Sequence, residues 1–311
     1  MGAQASRFPA VAGGKLLEVS SRTRALESHL FRPLYWMELM MMAAPTVYPE
    51  LNGVLQEMVT SLQAILGDHL LAVYLQGSFA AGDWDDDSDV DFLVVVSQEV
   101  SESELASLQV MHARIYDLDS CWAQHLEGSY FPRDMLRQDD PSKDPLLYLD
   151  NTSRELIRSN HDNTRVVRWV TREFGIALTG PDPCALINPV PAEQLRQEVS
   201  ETMRDWASQL LADPDQMNNR WFQPFAVLSY CRMLHTLHTG RIGSKLAGAR
   251  WAMSALDHRW VDLIERSLEE RPNPSLKIRQ KADPDDLNRT LDFIKYALTM
   301  AWHRSAPLST D

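Results

Sequence analysis

The sequence predicts an α+β chain of mixed α/β type: a small central mixed sheet with flanking helices, followed by a C-terminal helical bundle. Three observations predict it. The apolar runs "LLAVYL" (70–75) and "VDFLVVV" (90–96) are short enough for buried strands and are set among segments of helical period. The stretch "GPDPCALINPVP" (180–191) carries four prolines, a composition suited to a boundary. Beyond it, apolar residues recur only at helical spacing.

Residues 1–43 are expected to be a flexible extension. The start "MGAQAS" fits a myristoylation pattern, and Met40, Met41 and Met42 could mark a later start. The first domain is placed at 44–190. Leu51, Val54, Leu55, Met58, Leu62, Ile65 and Leu66 form an amphipathic stripe ended by Gly67-Asp68. The strand 70–75 follows. The run 90–96 is apolar on both faces after its first residues, which makes it a central strand. "SESELASLQVMHARIYDL" reads as a helix opened by Ser101 or Ser103, with Glu104 as a capping-box acid. "SCWAQHLEGSYFP" (120–132) reads as a third strand ended by Pro132, 137–145 as a polar loop, and 164–174 as a helix ended by Gly175. In the second domain, 191–304, Leu195, Val199, Met203, Trp206 and Leu210 mark one helix, and Leu287, Leu291, Ile294, Leu298 and Trp302 another. Ser244 suits the N-cap of a helix through Leu256. Asp283-Pro284 suits the N-cap and first residue of the last helix, before a tail at 305–311.

Thirty basic residues against 43 acidic ones leave a net charge of −13. A nucleic-acid binder needs a basic footprint, so that class is excluded, whereas a cationic small substrate fits. Cys121, Cys184 and Cys231 form neither a metal spacing nor a disulfide framework, which points to a reducing cytoplasm. No apolar stretch reaches the ~20 residues that span a bilayer. A monomer without membrane partners is expected.

The chemistry concentrates in "LQGSFAAGDWDDDSDVDFLVV" (75–95). Asp89 and Asp91 are two apart, so a strand points both to one face, at the start of a segment that is otherwise core. Close carboxylates repel, and burying them unpaired is costly; a divalent cation resolves both problems. Mg²⁺ binds through one or two carboxylates plus phosphate oxygens and water. The Gly77-Ser78 turn supplies close backbone approach and free N–H groups for a phosphate. Asp83, Asp85, Asp87, Asp89 and Asp91 also alternate like an EF-hand, but Ser88 stands where that loop needs Gly and Val94 where it needs Glu. Asp83, Asp85 and Asp87 therefore read as a solvated acidic turn.

Gly77-Ser78, a spacer, then Asp89-Val90-Asp91 resembles the signature of the DNA polymerase β-type nucleotidyltransferase superfamily. "VLSYCRMLHTLHTGRIGSKLAGARWAM" (227–253), with "LTGPDP" and "NPVP", resembles the helical domain of bacterial aminoglycoside-(3″)(9) adenylyltransferases. The likeness covers roughly residues 45–300. It implies a Mg²⁺-dependent transfer of AMP from ATP to a hydroxyl of an aminoglycoside or aminocyclitol. Asp89 and Asp91 would hold the metal, with Gly77, Ser78 and Lys245 on the nucleotide phosphates. The resemblance also implies a third carboxylate on the next strand. Glu127 matches best, as base or as further metal ligand, with Asp117 and Asp119 as alternatives. Arg232 reads as a partner for an acid of the other domain, His235 and His238 as interface residues, and Trp251 as core. Asp213, Asp215 and Trp221 fall where the drug enzymes place substrate contacts. "YLDNTSRELIRSNHDNTRVV" (148–167) departs from their pattern, with an aromatic replaced near Asn151. A protein-modifying or antitoxin-like member is the alternative, though such proteins lack a second helical domain.

Overall fold

The computed structural model describes residues 44–84, 88–138, 144–271 and 284–305. The 1–43 extension, Asp85, Asp87, Asp283 and the tail past Ser305 lie outside the described residues.

Helix α1 (Pro49–Leu66) buries the expected stripe from Leu51 to Leu66, except that Ile65 is only partly covered. Each fully buried Leu or Val of that stripe contributes on the order of 2 kcal/mol of transfer free energy. Strand β1 (Leu70–Leu75) follows, then the short helix α2 (Gly77–Ala81) and strand β2 (Val90–Val96). Helix α3 (Glu102–Tyr116) opens on a full capping box: the Ser101 hydroxyl accepts from the Glu104 N–H, and the Glu104 carboxylate accepts from the Ser101 N–H at 2.8 Å.

The third strand is shorter than the sequence implies. Cys121–Gln124 is a 3-10 turn, and β3 covers only Leu126–Pro132. Trp122 and Ala123 are still buried, so an apolar turn tucked under the sheet imitates the start of a strand. Helix α4 (Arg133–Arg137), β4 (Leu146–Leu149), β5 (Leu156–Ser159), α5 (Arg165–Phe174), β6 (Ile176–Thr179) and α6 (Pro183–Leu186) complete this part. The strands β4, β5 and β6 did not register in the periodicity because each is four residues long.

The six strands form one mixed sheet in the order β5-β4-β3-β2-β1-β6, with β2 and β3 parallel and every other pair antiparallel. Period-two alternation divides its faces. Phe92, Val94 and Val96 join the core under α1 and α3, whereas Leu93, Val95 and Phe131 pack with Leu136 and Ile187 on the opposite face. Asp91 and Glu127 share the parity of Leu93 and Phe131, so they project from that second face.

The helical part comprises α7 (Ala192–Ala212), α8 (Phe222–Thr239), α9 (Lys245–Ala255), α10 (Val261–Glu269) and α11 (Pro284–Ser305). Ser244 caps α9 as expected, accepting from Ala247 N–H at 2.9 Å. Helix α8 is the centre of this core and is buried on most sides. Gly248 lets α9 approach α8: a Cβ there would lie 2.6 Å from the Arg232 Cα. That close crossing brings Lys245, one turn earlier on α9, near Arg232.

The two cores are joined within the single compact unit that begins at Tyr48. Buried Glu198 on α7 accepts from the backbone N–H of Arg165 at 3.0 Å and of Val166 at 3.1 Å. It thus satisfies the first-turn donors of α5, while Thr164 takes the Val167 N–H.

Candidate active site

The turn after β1 is built around Gly77. Gln76 donates its N–H to the Asp91 carbonyl at 2.8 Å, tying the end of β1 to the start of β2. The buried Gln76 side chain accepts from Thr171 Oγ1 of α5 at 2.9 Å. Gly77 then adopts φ +64°, and a Cβ on it would sit 1.9 Å from Asp91 Oδ2. Only glycine permits both the left-handed backbone and a carboxylate laid against it. The first amides of α2 have no acceptor within their own helix.

Asp91 faces Glu127 in the parallel β2–β3 register. Burial, followed by repulsion from Glu127, Asp89 and Asp162, raises the Asp91 carboxyl well above its ordinary range; Lys245 opposes that rise. Burial also lifts Glu127 to about 7, with Asp89 and Asp162 adding to it, against the lowering influence of the Tyr148 hydrogen bond and of His161. The Tyr148 hydroxyl lies 2.6 Å from Glu127 Oε1 and 3.1 Å from Asp150 Oδ1. His161 Nε2 lies 3.7 Å from the same Glu127 oxygen. Asn151 donates its side-chain N–H to Asp89 Oδ1, and its own Oδ1 is 3.1 Å from His125 Nδ1. Ser129 donates to Asp162 at 2.7 Å, and burial raises that carboxyl too.

The cations come from the helical part. Burial first, then Arg232 and Arg271, lower Lys245 to about 8, while Asp89 and Asp91 pull it back up. Its Nζ lies 5.0 Å from the centre of the Phe225 ring, which stacks on Trp221 at 5.1 Å. Arg232 feels the field of Asp91 as well. The carboxylates of the sheet and the cations of α8 and α9 thus face one another.

A divalent cation fits this chemistry. Three carboxyls, those of Glu127, Asp89 and Asp162, surround and repel that of Asp91, and Lys245 opposes the rise of its pKa. Among the described residues no three His, Cys, Asp or Glu side chains form a metal cage. A pair suffices for Mg²⁺, which completes its shell with phosphate oxygens and water.

Comparison with known proteins accords with this arrangement. Residues 55–133 match the family model of the nucleotidyltransferase domain, and residues 185–297 that of the aminoglycoside adenylyltransferase C-terminal domain. Among its relatives, an aminoglycoside (3″)(9) adenylyltransferase of Shigella flexneri is 24% identical over 81% of this chain and 97% of its own. A spectinomycin 9-adenylyltransferase of Campylobacter jejuni is 24% identical over 68% of this chain and 82% of its own. The crystal structure of a spectinomycin adenyltransferase from Enterococcus faecialis, solved with ATP and spectinomycin, shares the fold. It superposes with a TM-score of 0.60 at 14% identity, covering 79% of this chain and 98% of that one.

The structure brings Asp89, Asp91, Glu127 and Gly77 of the sheet part and Lys245 of the helical part to one place, with Ser78 in the turn beside them. Asp117 and Asp119 are exposed, and Asp117 pairs with Arg154 at 2.5 Å, so neither alternative reaches the cleft. Asp83 is half-buried rather than solvated, and its N–H donates to the Ser78 carbonyl at 3.0 Å. Asp213 and Asp215 are exposed. Trp251 is partly buried against the helical core, beside His235 and His238. Sequence reasoning missed Tyr148, His161 and Asp162 as partners of the carboxylate cluster. Their signal was an unusual density of polar residues between 148 and 163, visible only once β4 is known to pair with β3.

Proposed function

We propose that this chain transfers AMP from ATP to a hydroxyl of a cationic small molecule of aminoglycoside or aminocyclitol type, with Mg²⁺. The observation that carries this is the placement of Asp91 opposite Glu127 with the Gly77 backbone against the Asp91 carboxylate. The names of the relatives support the drug-like acceptor, and the acidic cleft suits a polycation.

In this reading Ser78 and the turn amides grip the triphosphate, and Lys245 neutralises part of its charge. Asp89, oriented by Asn151, and Asp91 are the carboxylates that would hold the metal. Mg²⁺ bound there would polarise the α-phosphate and offset charge on the departing pyrophosphate. Glu127, whose carboxyl titrates near 7, accepts the proton of the acceptor hydroxyl as the oxygen–phosphorus bond forms. The bond from the α-phosphorus to the bridging oxygen breaks, and pyrophosphate leaves with its electron pair. Much of the acceleration is positioning and charge stabilisation.

The test is incubation with labelled ATP, Mg²⁺ and a panel including spectinomycin and streptomycin. Pyrophosphate and an AMP–drug adduct are expected. Absence of any adduct across the panel overturns the drug assignment, and a stoichiometrically adenylylated protein would instead favour a protein acceptor.

A further inference from the structure

We propose that Tyr148 is a positioning residue for Glu127: its hydroxyl holds one carboxylate oxygen so that the other is presented to the acceptor hydroxyl. The inference rests on the reading of Glu127 as the base.

The geometry is specific. Tyr148 lies on β4 opposite Ser129 of β3, two residues beyond Glu127, and the β3–β4 pairing brings its hydroxyl to Glu127 Oε1 at 2.6 Å. The ring is 4% exposed and packs on His161 with ring centres 5.2 Å apart, so it has little freedom to turn away. A phenol carries one proton. Asp150 Oδ1, at 3.1 Å, is the more distant of its two acceptors, so the proton goes to Glu127. His161 Nε2 approaches the same Oε1. Among the described residues, both partners of the Glu127 carboxylate therefore take Oε1, and Oε2 is the oxygen left for the acceptor hydroxyl. A free carboxylate rotates about its last torsion over a broad well, so this clamp decides which lone pair meets the incoming proton. A proton acceptor must lie within hydrogen-bond reach of its donor, and small misplacements cost rate steeply.

The experiment compares the wild-type protein, Tyr148→Phe and Glu127→Gln, following pyrophosphate release with spectinomycin and with streptomycin. Tyr148→Phe keeps the ring and removes one hydroxyl. It is expected to lower kcat about tenfold or more, with the KM for ATP within about twofold and a larger solvent deuterium isotope effect on kcat. A purely structural role would not enlarge that isotope effect. A protein carrying 3-fluorotyrosine at 148 retains the hydroxyl and is expected to keep kcat within about twofold. If it falls as far as Tyr148→Phe, disturbed packing is the cause and the positioning role is overturned. Wild-type kcat in Tyr148→Phe beside an inactive Glu127→Gln overturns the role of Tyr148 and leaves the base intact. Full turnover in Glu127→Gln, or no turnover of either drug by the wild-type protein, overturns the underlying reading and the assignment of Tyr148 with it.

Discussion

Asp91 and Glu127 stand directly opposite each other across the parallel β2–β3 ladder, and both are raised in pKa by burial and by each other's neighbours. Two like charges held side by side at the mouth of a core strand are unfavourable by themselves. Lys245 offsets part of that cost, and a bound cation would offset more, which ties the fold of this sheet to its chemistry.

Gly77→Ala tests the closeness of the turn to Asp91. The left-handed backbone alone costs about 1–2 kcal/mol for alanine, and its Cβ would collide with Asp91 Oδ2. Turnover is expected to be lost, with a fall in unfolding free energy measurable by urea denaturation. Wild-type activity in this variant would show that the turn tolerates displacement.

Lys245 is held near 8, so its charge fades across the alkaline range. The KM for ATP is expected to rise as pH climbs past about 8, because the cation that meets the triphosphate becomes neutral. Lys245→Arg stays charged at pH 9 and should lose that pH dependence, whatever its absolute KM. A pH profile identical in the two proteins contradicts the phosphate role.

His112 makes a prediction about stability rather than catalysis. It is buried, stacked on Phe92, with Nε2 2.6 Å from the Tyr130 hydroxyl, and burial lowers its pKa to about 3. The unfolded imidazole titrates near 6.5, so between those values the unfolded chain binds the extra proton. Stability from this group is complete above pH 6.5 and is lost as pH falls toward 3, at up to about 1.4 kcal/mol per unit. Urea titrations at pH 7, 6 and 5 should give a steeper decline for the wild-type protein than for His112→Gln.

Glu198 is the joint between the helical part and the sheet. Glu198→Ala leaves two α5 donors without their acceptor and should cost about 2–3 kcal/mol; Glu198→Gln, with one oxygen, should cost less. Because α5 also holds Gln76 through Thr171, the KM for ATP should rise in Glu198→Ala. A variant of unchanged stability and unchanged KM contradicts this coupling.

Much of this was legible before the structure. The Gly77-Ser78 turn and the Asp89/Asp91 pair lie next to strands β1 and β2, whose apolar runs are unambiguous, so local pattern alone located them. Glu127 came from the resemblance, which implies one more carboxylate on the strand after the Asp pair, and the β2–β3 register sets it opposite Asp91. Tyr148, Asn151, His161 and Asp162 were illegible for a physical reason. They sit on or beside four-residue strands, where periodicity has too few repeats to register, and their contacts with Asp89, Glu127 and Ser129 are made by sheet pairing across 21 to 62 residues of chain. Glu198 escaped notice similarly: its partners are backbone N–H donors 32 and 33 residues away, and no side-chain pattern announces a helix capped from another core.

The central claim is that Asp89 and Asp91 share a divalent cation with a triphosphate held by the Gly77-Ser78 turn. Calorimetric titration with a non-hydrolysable ATP analogue, with and without Mg²⁺, tests it most directly in the wild-type protein and in the isosteric Asp91→Asn. The account predicts binding that Mg²⁺ strengthens at least tenfold in the wild-type protein and hardly at all in Asp91→Asn. Equal strengthening by Mg²⁺ in both proteins, or none in the wild-type protein, would contradict it.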